Sequence, residues 1–281
     1  MASGMTAYET IGEWSRSRRS GAVMPALFVG HGSPMNGIED NDFSAAWKEL
    51  GPSLPSPRGI LCVSAHWLTH GTRVTAMDSP RTIHDFSGFP RSLGETVYPA
   101  PGDPALAAMA AESLGVLGGA AFDHDWGLDH GAWTVLRRMF PEADIPVVQL
   151  SIDWDLNPDG HLELGRALGA LRDRGILVVG SGNVVHNLGR IDFSTVDKPG
   201  SGYDWAFEFD LAVKKAVLEG DDAGLADRER LSGAAALAVP SPDHYYPLLY
   251  AVGARRKSDD VLVFNEAAVG GSLTMTSYAF G

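Results

Sequence analysis

Three apolar runs in this sequence each lead into a histidine, and this pattern limits the fold more than any other feature does. Each run has the length of a buried strand. The runs are residues 26–29 before His31, 59–63 before His66, and 175–179 before His186. Because the carboxyl ends of parallel strands lie along one edge of an open α/β sheet, we expect these three imidazoles to converge there.

Segments with helical spacing lie between the apolar runs. Asp103 and Pro104 provide an N-cap and a first-turn proline for a helix that extends to about Leu114, and Gly175 closes an amphipathic helix over 161–174. Strands that alternate with helices predict βαβ units. The predicted fold class is therefore α/β, a single domain with a central, mostly parallel sheet flanked by helices and an antiparallel edge from the last two strands. Further helices are predicted over 42–50, 134–140, 205–218 and 222–230, and the last strands over 261–264 and 272–278.

Composition excludes several classes of partner. The chain has 22 basic and 35 acidic residues and a formal charge of −13, which disfavours nucleic acid because phosphate backbones are held by Lys and Arg. No apolar segment approaches the roughly 20 residues that span a bilayer, so no membrane partner is expected. The single cysteine, Cys62, rules out a disulfide within the chain and fits a reducing cytoplasm. We expect a cytoplasmic protein that is a monomer or a small homo-oligomer.

Residues 1–22 are predicted to be an N-terminal extension, and residues 23–281 are predicted to be the single domain that carries the histidines. The arginine-containing stretch 15–20 is similar to the basic part of an export signal, but the short run into His31 follows it instead of a long apolar region with a cleavage site. The extension is therefore expected to be mobile or packed on the surface.

The histidines after the apolar runs predict a metal site. Neutral imidazole is the commonest protein ligand for borderline divalent metals, and such sites need further groups that fix the ring tautomer. Asn183 and Asp129 are candidates for that role. A catalytic triad is the alternative, but none of the candidate serines lies in a Gly-x-Ser-x-Gly turn. These serines are Ser33, Ser64 and Ser181.

Four other histidines are expected outside the site. His161 begins a predicted helix and His70 lies in a turn, so both are expected at the surface or in capping roles. His84 and His124 are expected to be ordinary residues of polar loops.

An ordered set of short motifs is similar to those of the 4,5-DOPA extradiol dioxygenases, a family of the class III extradiol ring-cleavage superfamily. The motifs follow the family's order along the chain. They lie at residues 24–36, 63–67, 82–86, 128–131, 182–187 and 242–245. The resemblance implies an α/β fold with a non-haem Fe(II) site at the carboxyl ends of the strands, and it implies zinc in some members.

The same resemblance implies roles for individual histidines. His31, His66 and His244 are expected to be metal ligands, and His186 is expected to be a further ligand or the acid/base beside the metal. His130 resembles the family's catalytic histidine on the substrate side. Fe(II) is the expected metal for activity, whereas an all-histidine site also suits Zn(II).

One departure from the superfamily pattern concerns the carboxylate ligand. Non-haem Fe(II) oxygenases often use two histidines and one carboxylate, and no motif in this chain certainly supplies the carboxylate. Glu266, after the predicted strand 261–264, is the best candidate, although an exposed position at the strand end is expected for it.

The resemblance implies a function as well as a site. A catechol such as DOPA would bind with O2, both oxygen atoms would enter the product, and a ring-opened semialdehyde would form. Gly30 and Gly32 are expected to leave room for a flat ring beside the metal. Aromatic side chains suit the wall of such a pocket, and the candidates are Phe86, Phe89, Trp126, Tyr245 and Tyr246.

Two other classes of protein stay open. A zinc hydrolase would use the same histidines with a metal-bound water and a carboxylate base at Asp129 or Glu266. A zinc protein without catalytic activity is the other alternative, although structural zinc sites usually close four ligands around the ion.

Overall fold

A sheet of nine strands forms the centre of the protein in the computed structural model, which describes residues 7–17 and 23–281. The strands of the described chain are β1 (Ala7–Tyr8), β2 (Ala26–Gly30), β3 (Gly59–Thr69), β4 (Arg73–Thr75), β5 (Ala121–Asp123), β6 (Val147–Asp153), β7 (Ile176–Gly182), β8 (Val261–Phe264), β9 (Ala268–Val269), β10 (Leu273–Thr274) and β11 (Ser277–Phe280). The sheet has the order β1-β8-β11-β2-β7-β3-β6-β4-β5, and β9 and β10 form a separate antiparallel pair.

Strands β2, β7, β3 and β6 run parallel in the middle of the sheet, as the βαβ pattern predicts. The antiparallel strand β11 does not form an edge, because it pairs with β2 on one side and with β8 on the other. Every residue of β11 is buried, as expected for an interior strand that is covered on both faces. The α/β fold class is confirmed, and the predicted antiparallel edge is wrong.

Helices cover both faces of the sheet. They are α1 (Ile11–Ser17), α2 (Asp42–Ser53), α3 (Arg91–Gly94), α4 (Pro104–Ser113), α5 (His130–Met139), α6 (Pro158–Leu168), α7 (Asp204–Glu219), α8 (Asp222–Ala226), α9 (Arg228–Leu231), α10 (Ala235–Ala238) and α11 (Tyr246–Ala254). Side chains alternate along each strand, so Phe28 packs with α4, α6, α7 and α11, whereas Leu27 packs with α1, α2 and α5. Two apolar cores therefore hold the sheet between two helical layers.

Helix α6 begins at Pro158, three residues earlier than the start at His161 that the sequence predicts. Asn157 caps its start by accepting a hydrogen bond from the Gly160 amide, and Pro158 is the first helical residue. The following residues 169–174 continue as a 3-10 helix. His161 consequently lies inside α6 and is fully buried, so its predicted surface or capping role is wrong.

Part of the predicted extension packs on the domain. Strand β1 pairs in parallel with β8, and α1 buries Ile11 and Trp14 in the core beside α2. The remainder of the extension, residues 1–6 and 18–22, lies outside the described residues. None of the helices in the described ranges combines the length and the apolar character that a bilayer crossing needs.

Candidate metal centre

Five histidines meet where the central parallel strands end. His31 directly follows β2, His66 lies in β3, His130 is the first residue of α5, His186 follows β7, and His244 precedes α11. The ring centroids are 5.1 Å apart for His31 and His66, 5.3 Å for His31 and His244, and 3.9 Å for His66 and His130. The structure therefore brings together all five histidines that the sequence singled out as ligands or catalytic groups.

A bulge in β3 places His66 at the site. Val63 pairs with Leu150 of β6 and Leu68 pairs with Ile152, so residues 64–67 lie opposite a single residue of β6. Such an irregularity redirects side chains next to functional sites. Because of it, His66 reaches the site from within the strand rather than from its end.

Two glycine contacts bring the segment of His244 against the end of β7. A Cβ atom on Gly182 would lie 2.1 Å from the His244 carbonyl oxygen, and one on Gly180 would lie 2.2 Å from the Pro247 carbonyl oxygen. The Asn183 amide donates a hydrogen bond of 2.9 Å to the same His244 carbonyl. Any larger residue at Gly182 would push His244 away from the other histidines.

Hydrogen bonds fix the ring of His31 in one tautomer. The Ser181 hydroxyl donates to the Gly131 carbonyl at 2.5 Å and lies 3.1 Å from His31 Nδ1. A hydroxyl has one proton to donate, so we assign the proton between Ser181 and His31 to Nδ1. His31 Nε2 then carries a free lone pair.

That lone pair points at a second ring nitrogen. The Nε2 atoms of His31 and His66 are 3.1 Å apart, while His66 Nδ1 lies 3.6 Å from Asp85 Oδ2. If Asp85 holds the His66 proton at Nδ1, two lone pairs face each other, which is favourable only with a cation between them. One ion with bonds of about 2.1 Å to nitrogen spans this distance, so the donor set fits a divalent metal.

The other two ligand candidates stack on each other. The rings of His186 and His244 are parallel within 3°, with centroids 3.4 Å apart. His244 Nδ1 makes a short hydrogen bond to Asp243, which leaves its Nε2 for a metal. The His244 ring centroid is 4.9 Å from that of His66, so the pair adjoins the first three histidines.

Burial and neighbouring charges favour the neutral imidazole at His31, His66 and His186. Burial, followed by the charges of the neighbouring histidines, lowers the pKa of His31 and of His66 well below the ordinary value. Burial and His244 lower the pKa of His186 to about 3. Neutral imidazole is the form that binds metals. Burial alone would raise the pKa of Asp243, but its hydrogen bond with His244 holds that pKa below the usual range.

Asp85 is a site residue that the sequence interpretation did not assign. Its Oδ1 accepts a hydrogen bond of 3.0 Å from the His130 amide. Its Oδ2 lies 3.0 Å from His130 Nδ1, in a charge contact whose angle falls outside that of a good hydrogen bond. One carboxylate thus touches both His66 and His130. Its position in the motif 82–86 was the available signal, because a short polar motif in a long loop is typical of functional segments.

Asp129 and Asn183 support the backbone around the site. Asp129 is buried, caps α5 and accepts hydrogen bonds from Ser64, the Ala132 amide and Gln149. Asn183 accepts from the Gly32 amide and donates to the Thr274 carbonyl. Neither bonds directly to a histidine ring, so both hold the segments that carry the histidines. Because both oxygens of Asp129 are occupied, it is poorly suited to act as the base of a hydrolase.

Several other predicted residues lie outside the cluster. Glu266 pairs with Lys214 and is 43% exposed, which confirms the exposed position expected for it. His70 is exposed beside Asp155, and His124 is exposed in its loop. His84 Nε2 donates a hydrogen bond of 2.8 Å to the Thr96 carbonyl.

The aromatic candidates divide between the site and the opposite core. The Phe86 ring contacts His130 with centroids 5.6 Å apart, and Phe89 contacts Phe86. Tyr245 and Tyr246 instead belong to the core with α6 and α7, where the Tyr245 hydroxyl donates to the Leu225 carbonyl. Their predicted place in the pocket wall is wrong, because α11 turns both rings away from the site. Trp126 stacks on Trp67.

The glycines after β2 make room for a methionine rather than for a ring. A Cβ atom on Gly32 would lie 2.4 Å from the Met275 sulfur, and one on Gly30 would lie 2.6 Å from the Met275 carbonyl oxygen. Gly32 also has a φ of +58°, which favours glycine. The expected open space at these glycines is therefore filled by the segment before β11.

The fold and the site together define a class of protein. It is an α/β protein in which the ends of central parallel strands bring histidines together at a site that could hold a metal ion. Two groups of three side chains have ligand atoms within 4.8 Å of one another, namely His31, His66 and His130, and His186, Asp243 and His244.

Comparison with known proteins gives the family. The family model described as the catalytic LigB subunit of aromatic ring-opening dioxygenase matches residues 25–280. The chain is 47% identical over 268 residues to the 4,5-DOPA dioxygenase extradiol of Escherichia coli K12, covering 93% of this chain and 96% of that protein. It is 37% identical over 268 residues to the protein of the same name from Beta vulgaris, covering 92% of this chain and 97% of that protein. The chain belongs to this family of ring-opening dioxygenases and is an extradiol dioxygenase.

A solved structure agrees with this assignment. The crystal structure of an uncharacterized protein from Escherichia coli K12 matches with a TM-score of 0.79 and 42% sequence identity, covering 92% of this chain and 100% of that chain. The resemblance seen in the motifs is therefore confirmed over nearly the whole chain.

Proposed function

We propose that this dioxygenase opens the ring of a catechol such as DOPA beside a hydroxylated carbon, inserts both atoms of O2 and releases a semialdehyde. The observation that carries the proposal is the pair of Nε2 atoms of His31 and His66, 3.1 Å apart. The relatives from Escherichia coli and Beta vulgaris bear the name 4,5-DOPA dioxygenase extradiol, which supports a catechol as the substrate.

His31, His66 and His244 would hold the metal, and His186 would be a further ligand or a proton carrier. Fe(II) is the metal proposed for activity, because zinc has no redox chemistry to offer O2. When bound, the metal would lower the pKa of the catechol hydroxyls and would allow electron density to pass from the ring to O2. Ser181 and Asp243 keep the ligand nitrogens of His31 and His244 unprotonated.

His130 is the acid/base in this proposal. Asp85 Oδ2 lies 3.0 Å from its Nδ1, which leaves Nε2 to accept a proton from a catechol hydroxyl and to return it during ring opening. Phe86 packs against the His130 ring and limits the approach of water from that side.

Oxygen uptake by protein loaded anaerobically with Fe(II) tests the proposal, with L-DOPA and a panel of catechols as substrates. We expect uptake together with a yellow ring-opened product. His66→Ala should lose both iron and turnover, whereas His130→Phe should keep iron and lose turnover.

The matched control is His70→Ala, which removes an exposed histidine and should retain both iron and activity. Full iron content in His66→Ala would contradict the ligand assignment. Hydrolysis of an ester or amide without oxygen uptake on any catechol would contradict the proposed reaction and favour the zinc hydrolase.

A further inference from the structure

A cleft of about 460 Å³ lies beside the segment that follows His31. Asn36 lines it and donates a hydrogen bond of 3.0 Å to the His31 carbonyl. Met275 lines it beside Gly32. Phe89 lines it as well, and its ring contacts Phe86, which contacts His130. The cleft is therefore bordered by the segment that follows His31 and by the loop whose Phe86 contacts His130.

The charge of this cleft has one sign. Glu39 and Asp197 are both exposed and line the cleft, and its lining among the described residues contains no Lys or Arg. Lys198 follows Asp197 in the chain but does not line the cleft. The whole protein carries a formal charge of −13, which strengthens the negative potential there.

Arg138, a buried cation of α5, does not line the cleft. Its guanidinium donates to the carbonyls of Asn36 and Glu39 and to the Asp40 carboxylate. These bonds hold the Arg138 guanidinium against the backbone of residues 36–40. Arg138 lines a different surface hollow, together with Lys48.

The apolar part of the lining suits the short carbon chain that joins a catechol ring to a charged end group. Met35, Phe43, Val269 and Met275 contribute apolar side chains to its walls. Ligand sites commonly combine such walls with a few charged groups that select the ligand's orientation.

We propose that this cleft receives the side chain of the catechol and selects substrates whose side chain ends in a protonated amine. This inference rests on the proposed function and deepens it. An alkylammonium meets Glu39 and Asp197, whereas a carboxylate meets two like charges and no cation. The expected order is amine first, then the amino acid L-DOPA, then a catechol that bears only a carboxylate.

The effect of each carboxylate is expected to be modest, because exposed ion pairs contribute about 0.2–1 kcal/mol. We therefore expect dopamine to exceed the neutral analogue 4-ethylcatechol about threefold to tenfold in kcat/KM. The carboxylate analogue 3-(3,4-dihydroxyphenyl)propionate should fall below 4-ethylcatechol by a similar factor. Both ratios should shrink as the salt concentration rises.

The experiment compares these three substrates in oxygen-uptake assays of the iron-loaded full chain. In Glu39→Gln, Asp197→Asn and their combination, the ratio of dopamine to 4-ethylcatechol should fall stepwise towards one. The control is Glu112→Gln, an exposed carboxylate of α4 on the opposite face of the sheet, which should keep the ratio of the unmodified protein.

Two results would overturn the inference while leaving the proposed function intact. One is turnover of all three catechols with no preference for the amine, and the other is a double variant with unchanged ratios and an unchanged melting temperature. Consumption of none of the catechols by the unmodified protein would instead overturn the proposed function, and this inference with it.

Discussion

The Ser181 hydroxyl gives its proton to the Gly131 carbonyl at 2.5 Å and meets His31 Nδ1, 3.1 Å away, with a lone pair. This relay is fully buried, so it is protected from exchange with water. It sets the tautomer of His31, a proposed metal ligand, and it connects three segments, namely the end of β2, the end of β7 and the first turn of α5.

Replacing Ser181 with alanine should weaken metal binding about 10- to 100-fold, because partners that orient a metal-bound histidine contribute about that much to affinity. Competition with a chelator, followed by metal analysis, measures the change. Ser113→Ala, which removes a hydroxyl from α4, is the control and should bind metal normally. Unchanged affinity in Ser181→Ala would show that the relay does not orient His31.

Asp85→Asn should lower kcat about 10- to 100-fold and retain most of the metal. The amide keeps an oxygen for the His130 backbone amide but loses the negative charge at His130 Nδ1. Steady-state oxygen uptake with parallel iron analysis separates the two effects. Asp125→Asn, in an exposed loop, should behave like the unmodified protein, and the prediction fails if Asp85→Asn does so too.

Gly182→Ala should destabilise the protein by about 1–3 kcal/mol and reduce its metal content. The added Cβ would overlap the His244 carbonyl oxygen at 2.1 Å, and overpacking against backbone has costs of this size. Urea unfolding and metal analysis measure both effects. Gly94→Ala is the matched control, because nothing lies within 4 Å of its added Cβ. Equal stability of the two variants would contradict the close approach of the His244 segment.

His161 should make the free energy of unfolding depend on pH. Burial lowers its pKa from 6.5 to about 4, although Asp153 acts in the opposite direction. Between pH 6.5 and 4 the unfolded chain therefore binds more protons than the folded one. The stabilising contribution is present above pH 6.5 and is lost as the pH falls towards 4, with a slope of at most about 1.4 kcal/mol per pH unit.

His161→Gln does not titrate in this range and should show a shallower fall in stability over it. Tyr246 and Tyr250 of α11, which pack on the ring, stay neutral throughout. Urea unfolding at several pH values gives the slope, and His70→Gln, at an exposed position, should keep the slope of the unmodified protein. Parallel slopes for His161→Gln and the unmodified protein would contradict the burial of His161.

The sequence predicted the sheet and the positions of His31 and His66 because these features are local. Strand β2 ends next to His31 and strand β3 contains His66, so the length and the position of the two apolar runs were sufficient to predict both. The start of α6 also has a local signal, the N-cap Asn157 followed by Pro158. The helix predicted from the sequence began after this signal, at His161. Burial of His161 followed from that shift in boundary.

Other features depend on contacts between distant segments and have no local pattern. Met275 fills the space at Gly32 although 243 residues (275 − 32) separate them. Asp85 reaches His66 and His130 from a long loop. His244 follows a turn rather than an apolar strand, so only the motif resemblance indicated it.

The most direct test of ring opening by this histidine centre is the fate of labelled oxygen. Iron-loaded protein is given a catechol under ¹⁸O₂, and the product is reduced at once with borohydride so that its aldehyde oxygen does not exchange with water. We predict that mass spectrometry of the reduced product will show both atoms of one O2 molecule incorporated. A product with one labelled oxygen, or with none, would contradict the account.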